Sequence, residues 1–571
     1  MITINIKTEL QSIYDIASIC AGHGIQEAIL SPGSRCAPLT ISFARHPGIQ
    51  VRTISDERSA GFIAAGLAQQ TAKPVVLICT SGSAGLNYSP AVAEAFYQQI
   101  PLLILTADRP PEWVDQLDGQ TIRQQNLFGR HVKAAYQLPV DTTHSDAQWE
   151  VNRILNEAIL QSTSFPAGPV HVNIPLREPF YPESDIQFNT TPRIIKLSSS
   201  EAIPDASLLN ELTKEINSHE RIMIVAGQGH VSSELQKTLH AFIENTGAVL
   251  IADTISNTGN IEQAIQLHDV TLSAKEDSFT KTLAPDLLIT FGKSVISKSL
   301  KQFLRAHKPQ HWHIQPAGDA ADTFQCMSRL LRFTPEAFFR TLTKTDFTEK
   351  SNFQLAWNKG EEKAKLYMKS FFQSSTFTEF NAIHTAIQSL PAGSQLHLAN
   401  SMPVRYANYL PLAADKHIEV FANRGTSGID GVLSTAVGAC MGTDKIVTVI
   451  TGDMSFFYDR NAFWNNYLPA NLRVIILNNH GGGIFRMING PSQQPELEQY
   501  FVTEQKLTAE YLAKEHQLNY YLCKDEATLT KALSGFFKPS EKPQIIEVIT
   551  DGIHNTNVFQ QFKANIPKFY V

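Results

Sequence analysis

Two short apolar runs, each closed by a turn rich in oxygen donors, constrain this chain most. Lys445-Ile446-Val447-Thr448-Val449-Ile450 leads into Gly452-Asp453-Met454, and Leu472-Arg473-Val474-Ile475-Ile476-Leu477 leads into Asn478-Asn479-His480-Gly481-Gly482-Gly483. Continuous runs of Val, Ile and Leu of this length predict buried strands of a parallel sheet. Asp453 and Asn479 then fall just past the carboxyl ends of two strands, where open α/β sheets bind ligands. A carboxylate, an amide oxygen and a free backbone carbonyl are hard donors suited to Mg²⁺, which keeps water and phosphate oxygens for the rest of its shell. Taken alone, the pattern also reads as ordinary Gly-Asp and Asn-x-Gly turn chemistry.

At 571 residues the chain is too long for a single core. Three α/β regions are predicted, at 1–185, 186–375 and 376–571. In the first, strands are expected at Glu27–Leu30, Val51–Ile54, Pro74–Cys79, Leu102–Thr106 and Val170–Asn173, alternating with helical patterns. After a polar, Pro-containing stretch near Tyr181–Pro204, the second opens at Arg221-Ile-Met-Ile-Val-Ala-Gly-Gln-Gly229, with strands at Ala248–Ala252, Asp286–Phe291 and His311–Gln315. Gly227 and Gly229 form only a fragment of a dinucleotide-binding turn, so a plain strand-to-helix turn is the better reading. A charged helical segment, Lys359–Lys369, leads to the third region, with further strands at Gln395–Leu398 and Gln544–Ile549. The fold class is therefore α/β, with three mostly parallel sheets covered by helices.

A net charge of -6 argues against nucleic acid or an anionic membrane as the main partner. Six scattered cysteines suggest neither a disulfide framework nor a Cys-based zinc site, and they fit a reducing cytoplasm. Met1–Lys7 lacks the features of a signal peptide, and no run of 18 apolar residues is present.

A second signal lies in the segment from Val51 to Ala68. Ser55 or Asp56 is placed to cap a helix whose first turn holds Glu57, and Ala60, Gly61, Ala64, Ala65 and Ala68 leave that helix open to close approach. By itself Glu57 also reads as a surface acid complementing the helix dipole.

Together these features resemble the thiamine diphosphate (ThDP) enzymes, with a Gly-Asp turn and an Asn about 25 residues later in the last domain and a Glu in the first. Further motifs narrow the resemblance. They are Ser31-Pro-Gly-Ser-Arg-Cys-Ala-Pro-Leu39, Thr106-Ala-Asp-Arg-Pro-Pro111, Ile296-Ser-Lys-Ser-Leu300, Asn400-Ser-Met-Pro-Val-Arg405, Asn423-Arg-Gly-Thr-Ser-Gly-Ile-Asp-Gly431 and Gly481-Gly-Gly-Ile-Phe485. In this order they resemble the 2-succinyl-5-enolpyruvyl-6-hydroxy-3-cyclohexene-1-carboxylate (SEPHCHC) synthase family of menaquinone biosynthesis, across nearly the whole chain.

The resemblance implies a ThDP-dependent transferase in the cytoplasm. Its reaction decarboxylates 2-oxoglutarate and adds the resulting four-carbon unit to isochorismate in a 1,4 sense. It implies a homodimer or a dimer of dimers, because Glu57 and Asp453 would serve one cofactor from different subunits. Glu57 would be catalytic. Thr80, Gly82, Ser401, Met402, Ile429, Gly452, Asp453, Met454, Ser455, Asn479 and Gly481 would contact ThDP, with Ile429 as the wedge beneath it. Asp453, Asn479 and Gly481 would hold Mg²⁺ or Mn²⁺. Ser34, Arg35, Arg109, Gln120, Lys298, Ser401, Arg405, Arg424, Ile484 and Phe485 would bind substrate. Arginines suit two dicarboxylates, because a guanidinium grips a carboxylate with two parallel bonds.

Three departures from the pattern stand out. Gly119 replaces an Asn, Ser299 stands where many members carry Arg, and Met454 replaces the general Gly, as is usual in this family. The first predicts an amide contact to cofactor or substrate that is lost or supplied from elsewhere, and the second a missing cationic contact to a substrate carboxylate with lower affinity. The rival readings are an acetolactate synthase-like ThDP decarboxylase or carboligase, and a non-catalytic scaffold that retains the fold.

Overall fold

The computed structural model describes residues 10–178, 180–182, 185–274, 277–348 and 350–570. Met1–Lys7, read above as lacking a leader, lies outside them. Three parallel sheets follow one another along the chain. The first contains β1 (Glu27–Leu30), β2 (Gln50–Thr53), β3 (Val75–Cys79), β4 (Leu102–Asp108), β5 (Ala135–Gln137) and β6 (Pro169–Pro175), in the order β2-β1-β3-β4-β6-β5. The second contains β7 (Ile222–Ala226), β8 (Val249–Ala252), β9 (Leu287–Phe291), β10 (Gln310–Ile314) and β11 (Met327–Leu331), in the order β11-β10-β9-β7-β8. The third contains β12 (Gln395–Leu398), β13 (Glu419–Phe421), β14 (Val447–Gly452), β15 (Leu472–Asn478), β16 (Asn519–Cys523) and β17 (Gln544–Ile549), in the order β13-β12-β14-β15-β17-β16.

The central strands are fully buried apolar runs, as both faces of a parallel sheet require. Each predicted strand is present, shifted by at most two residues at either end. Four strands were not predicted: β5, β11, β13 and β16. All four lie at sheet edges and carry part-exposed side chains, so they lack a continuous apolar run. The charged segment Lys359–Lys369 falls within the helix Ser351–Ser374, and the turn at Gly227 joins β7 to the helix Ser233–Thr246. The glycine there serves close packing, since a Cβ on Gly227 would lie 2.1 Å from the carbonyl oxygen of Lys293.

The first and third units meet through helices α1 (Glu57–Thr71) and α2 (Val432–Met441). Their contact is reciprocal. A Cβ on Gly66 would lie 1.9 Å from the carbonyl oxygen of Thr435, and one on Gly438 would lie 1.9 Å from that of Ile63. Neither partner is a flexible side-chain tip, so no rotamer change relieves the clash. Around this crossing, Ile63, Leu67, Leu433 and Val437 share a core with the inner residues of the first and third sheets.

Gly66→Ala tests this crossing. Helix propensity alone would favour Ala by about 1 kcal/mol, whereas forcing a methyl against a backbone carbonyl costs about 3 kcal/mol. A lower Tm in thermal unfolding is expected; an unchanged or higher Tm would show that the helices can part without cost.

Candidate active site

The carboxyl ends of β12, β14 and β15 open into a cavity of about 390 Å³. Its lining includes Ser401, Met402, Arg405, Arg424, Ile429, Gly452, Asp453, Met454, Ser455, Asn479, Gly481, Ile484 and Phe485. Thirteen residues predicted from separate motifs therefore line one cavity. Asp453 opens the short helix after β14, and Asn479 follows the last residue of β15.

Asp453 is 1% exposed, and burial pushes its carboxyl up to about 6 despite a bond from Gln505. Gln505 Nε2 donates to Asp453 Oδ2 at 2.7 Å. Asn479 Oδ1 accepts from Gly481 N at 3.1 Å, and the Gly481 carbonyl accepts from Gly483 N at 2.9 Å. Each of these oxygens keeps a second lone pair. Among the described residues no group of three His, Cys, Asp or Glu could hold a metal. A cation here would rest on one carboxylate, one amide and one carbonyl, with ligand oxygens completing its shell. That donor set suits Mg²⁺.

Two further residues escaped the sequence reading. Glu379 lies in the wall, and its Oε1 accepts from Asn479 Nδ2 at 2.6 Å. Burial pushes the Glu379 carboxyl up to about 8, and the Asn479 bond only partly opposes this. Glu379 opens a helix far from any recognised motif, and Gln505 lies in a polar loop. No spacing signal marks either one.

Ser401 has φ +74° and ψ -127°, a backbone state costing roughly 1–3 kcal/mol for a residue with a Cβ. It turns the chain out of the β12 loop, and its carbonyl accepts from Arg405 Nη1. Arg424 Nη1 donates to Asn400 Oδ1 at 2.8 Å. No carboxylate lies within ion-pair distance of Arg405 or Arg424 among the described residues. Burial pulls both guanidinium pKa values down, and for Arg405 the neighbouring Arg424 adds to this. Ile429 stays 38% exposed at the cavity although it is apolar, and Ser455 Oγ donates to its carbonyl at 2.5 Å.

The loop carrying Arg424 is held by all three units. Glu94 of the first unit accepts from Gly425 N at 2.8 Å and from Thr426 N at 2.6 Å. Gln98 and Gln228 each donate to the Ala422 carbonyl at 2.7 Å, and Asn257 Oδ1 accepts from Val420 N at 2.7 Å.

The predicted residues of the first unit form a second group at the carboxyl edge of the first sheet. Asp56 caps α1 by accepting from Arg58 N at 2.9 Å and Ser59 N at 3.2 Å, which places Glu57 as its first residue. Asn87 Nδ2 donates to Glu57 Oε2 at 3.4 Å. Thr80 Oγ1 is buried without a hydrogen-bond partner, and Gly82 N donates to Gln124 Oε1 at 2.8 Å. Gly82 has φ +84°, which lets its backbone lie close to that of Gln120. Arg35 is buried, donates to the Leu176 carbonyl at 3.0 Å and lies 3.6 Å from Glu178. Arg109 pairs with Asp118 at 3.2 Å and donates to the Gly119 carbonyl at 3.1 Å, so the departure at Gly119 leaves a backbone contact in place. Ser34 and Gln120 are exposed. Lys298 lines a neighbouring cavity.

None of the first-unit residues lines the Asp453 cavity. The start of α1 is tied to its own third unit elsewhere, by Asn461 Nδ2 donating to Asp56 Oδ2 at 2.6 Å and Arg58 Nη2 donating to the Tyr458 carbonyl at 2.9 Å. The candidate residues thus fall into two groups within one chain.

Comparison with known proteins agrees with this geometry. Residues 14–130 match the thiamine pyrophosphate enzyme N-terminal TPP binding domain, 200–398 the middle domain of thiamine pyrophosphate enzymes, and 403–548 the C-terminal TPP binding domain. The chain is therefore a ThDP-dependent enzyme of three domains. Among curated relatives, one from Cytophaga hutchinsonii is 47% identical over 98% of this chain and 100% of its own length. Another from Flavobacterium johnsoniae is 41% identical over 96% of this chain and 97% of its own. One from Bacteroides thetaiotaomicron is 35% identical over 97% and 98%, respectively. All three are named 2-succinyl-5-enolpyruvyl-6-hydroxy-3-cyclohexene-1-carboxylate synthase, and the chain belongs to that family.

The raised Glu379 pKa has a consequence for stability. Between pH 4.5 and about 8 the folded, ligand-free chain retains a proton that the unfolded chain releases, so stability falls as pH rises through this window. Glu379→Gln removes that term. The Tm of the variant relative to wild type should be higher at pH 8 than at pH 5, and a difference independent of pH would contradict the assignment.

Proposed function

We propose that the chain is a SEPHCHC synthase, joining 2-oxoglutarate to isochorismate with loss of CO₂. Arg405 and Arg424 carry this reading: two guanidinium groups without a carboxylate partner in the cavity that holds Asp453 and Asn479. Bound ThDP supplies the electron sink for decarboxylating a 2-oxoacid and for forming the new carbon–carbon bond.

The protein supplies the rest. Asp453, Asn479 and the Gly481 carbonyl would hold Mg²⁺ or Mn²⁺ against the diphosphate. Glu379 would fix the Asn479 amide so that its oxygen faces the metal. Ile429 would support the cofactor from below, which accounts for an apolar side chain left exposed at a polar site. The orphan hydroxyl of Thr80 and the backbone at Gly82 would contact the pyrimidine half, where Glu57 would hold the proton on the ring nitrogen.

Arg405 and Arg424 would neutralise and orient substrate carboxylates on the third-unit side, and Ser34, Arg35, Arg109 and Gln120 would do so on the first-unit side. Orientation of this kind converts a bimolecular encounter into a near-unimolecular step. Met402, Ile484 and Phe485 would exclude water, which would otherwise quench the reactive carbon. Because the two half-sites lie apart within one chain, a homodimer completes the site: Glu57 of one protomer would meet Asp453 of its partner. The six unpaired cysteines suit a reducing cytoplasm.

The test is mass-spectrometric detection of SEPHCHC from purified protein with ThDP, Mg²⁺, 2-oxoglutarate and isochorismate, omitting each in turn. Product should require all four, whereas CO₂ release without joined product would assign a different acceptor. Glu57→Gln should lower kcat by a factor of about 100 or more and leave Tm unchanged. Wild-type turnover in that variant would remove Glu57 from the mechanism.

A further inference from the structure

Beside the Asp453 cavity lies a second of about 400 Å³, sharing Met402, Arg405, Ile484 and Ile488 with it. Three cations line it: Arg405, Lys298 and Lys563. Lys298 and Arg405 are expected substrate ligands. Lys563 belongs to no recognised motif and comes from the helix Gly552–Tyr570 near the end of the chain.

We propose that Lys563 is a substrate-binding residue that acts with Lys298 and Arg405 to hold a carboxylate of a dicarboxylate substrate in this second cavity. The inference deepens, and rests on, the two-dicarboxylate reading above.

The geometry supports it in three ways. First, none of the three cations has a carboxylate within ion-pair distance among the described residues. The single acid in the lining, Asp269, already accepts from Ser297 Oγ at 2.6 Å and from Asn408 Nδ2 at 2.7 Å. Its charge offsets one cation of the three. The Lys563 ammonium lies over the Phe559 ring, 4.6 Å from nitrogen to centroid, a contact that orients the side chain without neutralising it.

Second, the charges act on one another. Desolvation pulls the Lys563 pKa down; Asp269 opposes this, and repulsion from Arg405 and then Lys298 adds smaller contributions in the same direction as desolvation. A bound carboxylate would relieve that repulsion.

Third, a helix N-terminus lies at this cavity, although the Ile296 and Ser297 N–H groups before it already donate to Asp253 Oδ2 at 2.8 and 3.0 Å. The helix Lys298–His307 begins there, with Ser297 as its cap, so its positive end faces the same space as the three side chains. Ser299 lines this cavity as well. The missing cation predicted at Ser299 thus has a counterpart in Lys563, which reaches the same space from another helix.

Both 2-oxoglutarate and isochorismate carry two carboxylates, and the experiment separates them. Initial rates are measured for wild type, K563M, K563R and K563M/S299R, varying each substrate with the other saturating. ThDP affinity is read from quenching of tryptophan fluorescence. K563M should raise KM for one of the two acids by about tenfold, the effect of losing one charged hydrogen bond. The other KM and the ThDP affinity should stay within about twofold, well below the tenfold that one such bond is worth. K563R should restore most of the loss, and S299R should recover part of it in the K563M background.

KM values for both acids within twofold of wild type in K563M would overturn the proposal. So would a parallel loss of both KM values, ThDP affinity and Tm, which would mark Lys563 as structural. If wild type makes no joined product, the proposed reaction fails, and titration calorimetry of each acid into wild type and K563M tests Lys563 separately. Equal affinities for both acids would overturn the inference; weaker binding of one acid to K563M would sustain it.

Discussion

The contact between α1 and α2 determines how everything else is arranged. Gly66 and Gly438 each give up about 1 kcal/mol of helix propensity so that a backbone carbonyl of the facing helix can lie where a Cβ would be. The gain is rigid registration of the first unit against the third. Asp459 extends it: this buried carboxylate accepts from Ser434 N at 2.8 Å and Ser434 Oγ at 2.7 Å, which ties the start of α2 to the segment after Asp453. Tyr458 and Asn461, on either side of Asp459, hold the start of α1. Glu57 is consequently fixed at the start of a helix that cannot swing toward its own Asp453. The same glycines that hold the two units together thus hold Glu57 outside the cavity lined by Asp453.

The middle unit contributes position more than chemistry. Its loops after β7 and β9 interlock, and Gln228 and Asn257 reach from it to the strand β13 and the loop that carries Arg424. Lys293 is enclosed there, where burial lowers its ammonium to about 8, and it donates to the Gln98 carbonyl at 2.6 Å. Gln98 in turn holds Ala422. A guanidinium that must recognise a flat carboxylate with two bonds tolerates little angular error. Anchoring its loop to the first and middle units is one way to remove that error without placing Arg424 in a strand or helix.

Much of this was legible in the sequence, and the division between what was and what was not has a physical basis. Strands buried on both faces are mostly apolar, so β3, β4, β7, β9 and β15 announce themselves even though β15 carries the buried Arg473. Edge strands such as β13 and β16 need only one good face, and their mixed residues read as loop. Motif residues at strand ends were legible because turn chemistry and strand pattern coincide, as at Asp453 and Asn479. Glu379, Gln505 and Lys563 were not, because what gives each its role is a partner distant in sequence. The unusual backbone of Ser401 was equally hidden, since nothing about a serine signals a positive φ.

The electrostatics of the cavity follow from these placements. Two buried carboxyls lie beside Asn479, yet burial separates their behaviour. With a pKa near 8, Glu379 stays mostly protonated at neutral pH and can hold the Asn479 amide without adding negative charge. With a pKa near 6, Asp453 is mostly ionised there and presents a charge to a cation. Burial raises both; at Glu379 the neighbouring Asp453 charge adds to the rise, whereas at Asp453 the Gln505 bond and the Met454 N–H oppose it. One anionic oxygen donor therefore faces two guanidinium groups that lack carboxylate partners, and the cavity carries net positive character within a chain of net charge -6. A field of that sign draws anionic ligands inward. It also means that a second carboxylate kept ionised in the Glu379 position would oppose both the diphosphate and the substrates, so the burial that makes Glu379 costly to fold is what makes it compatible with the site.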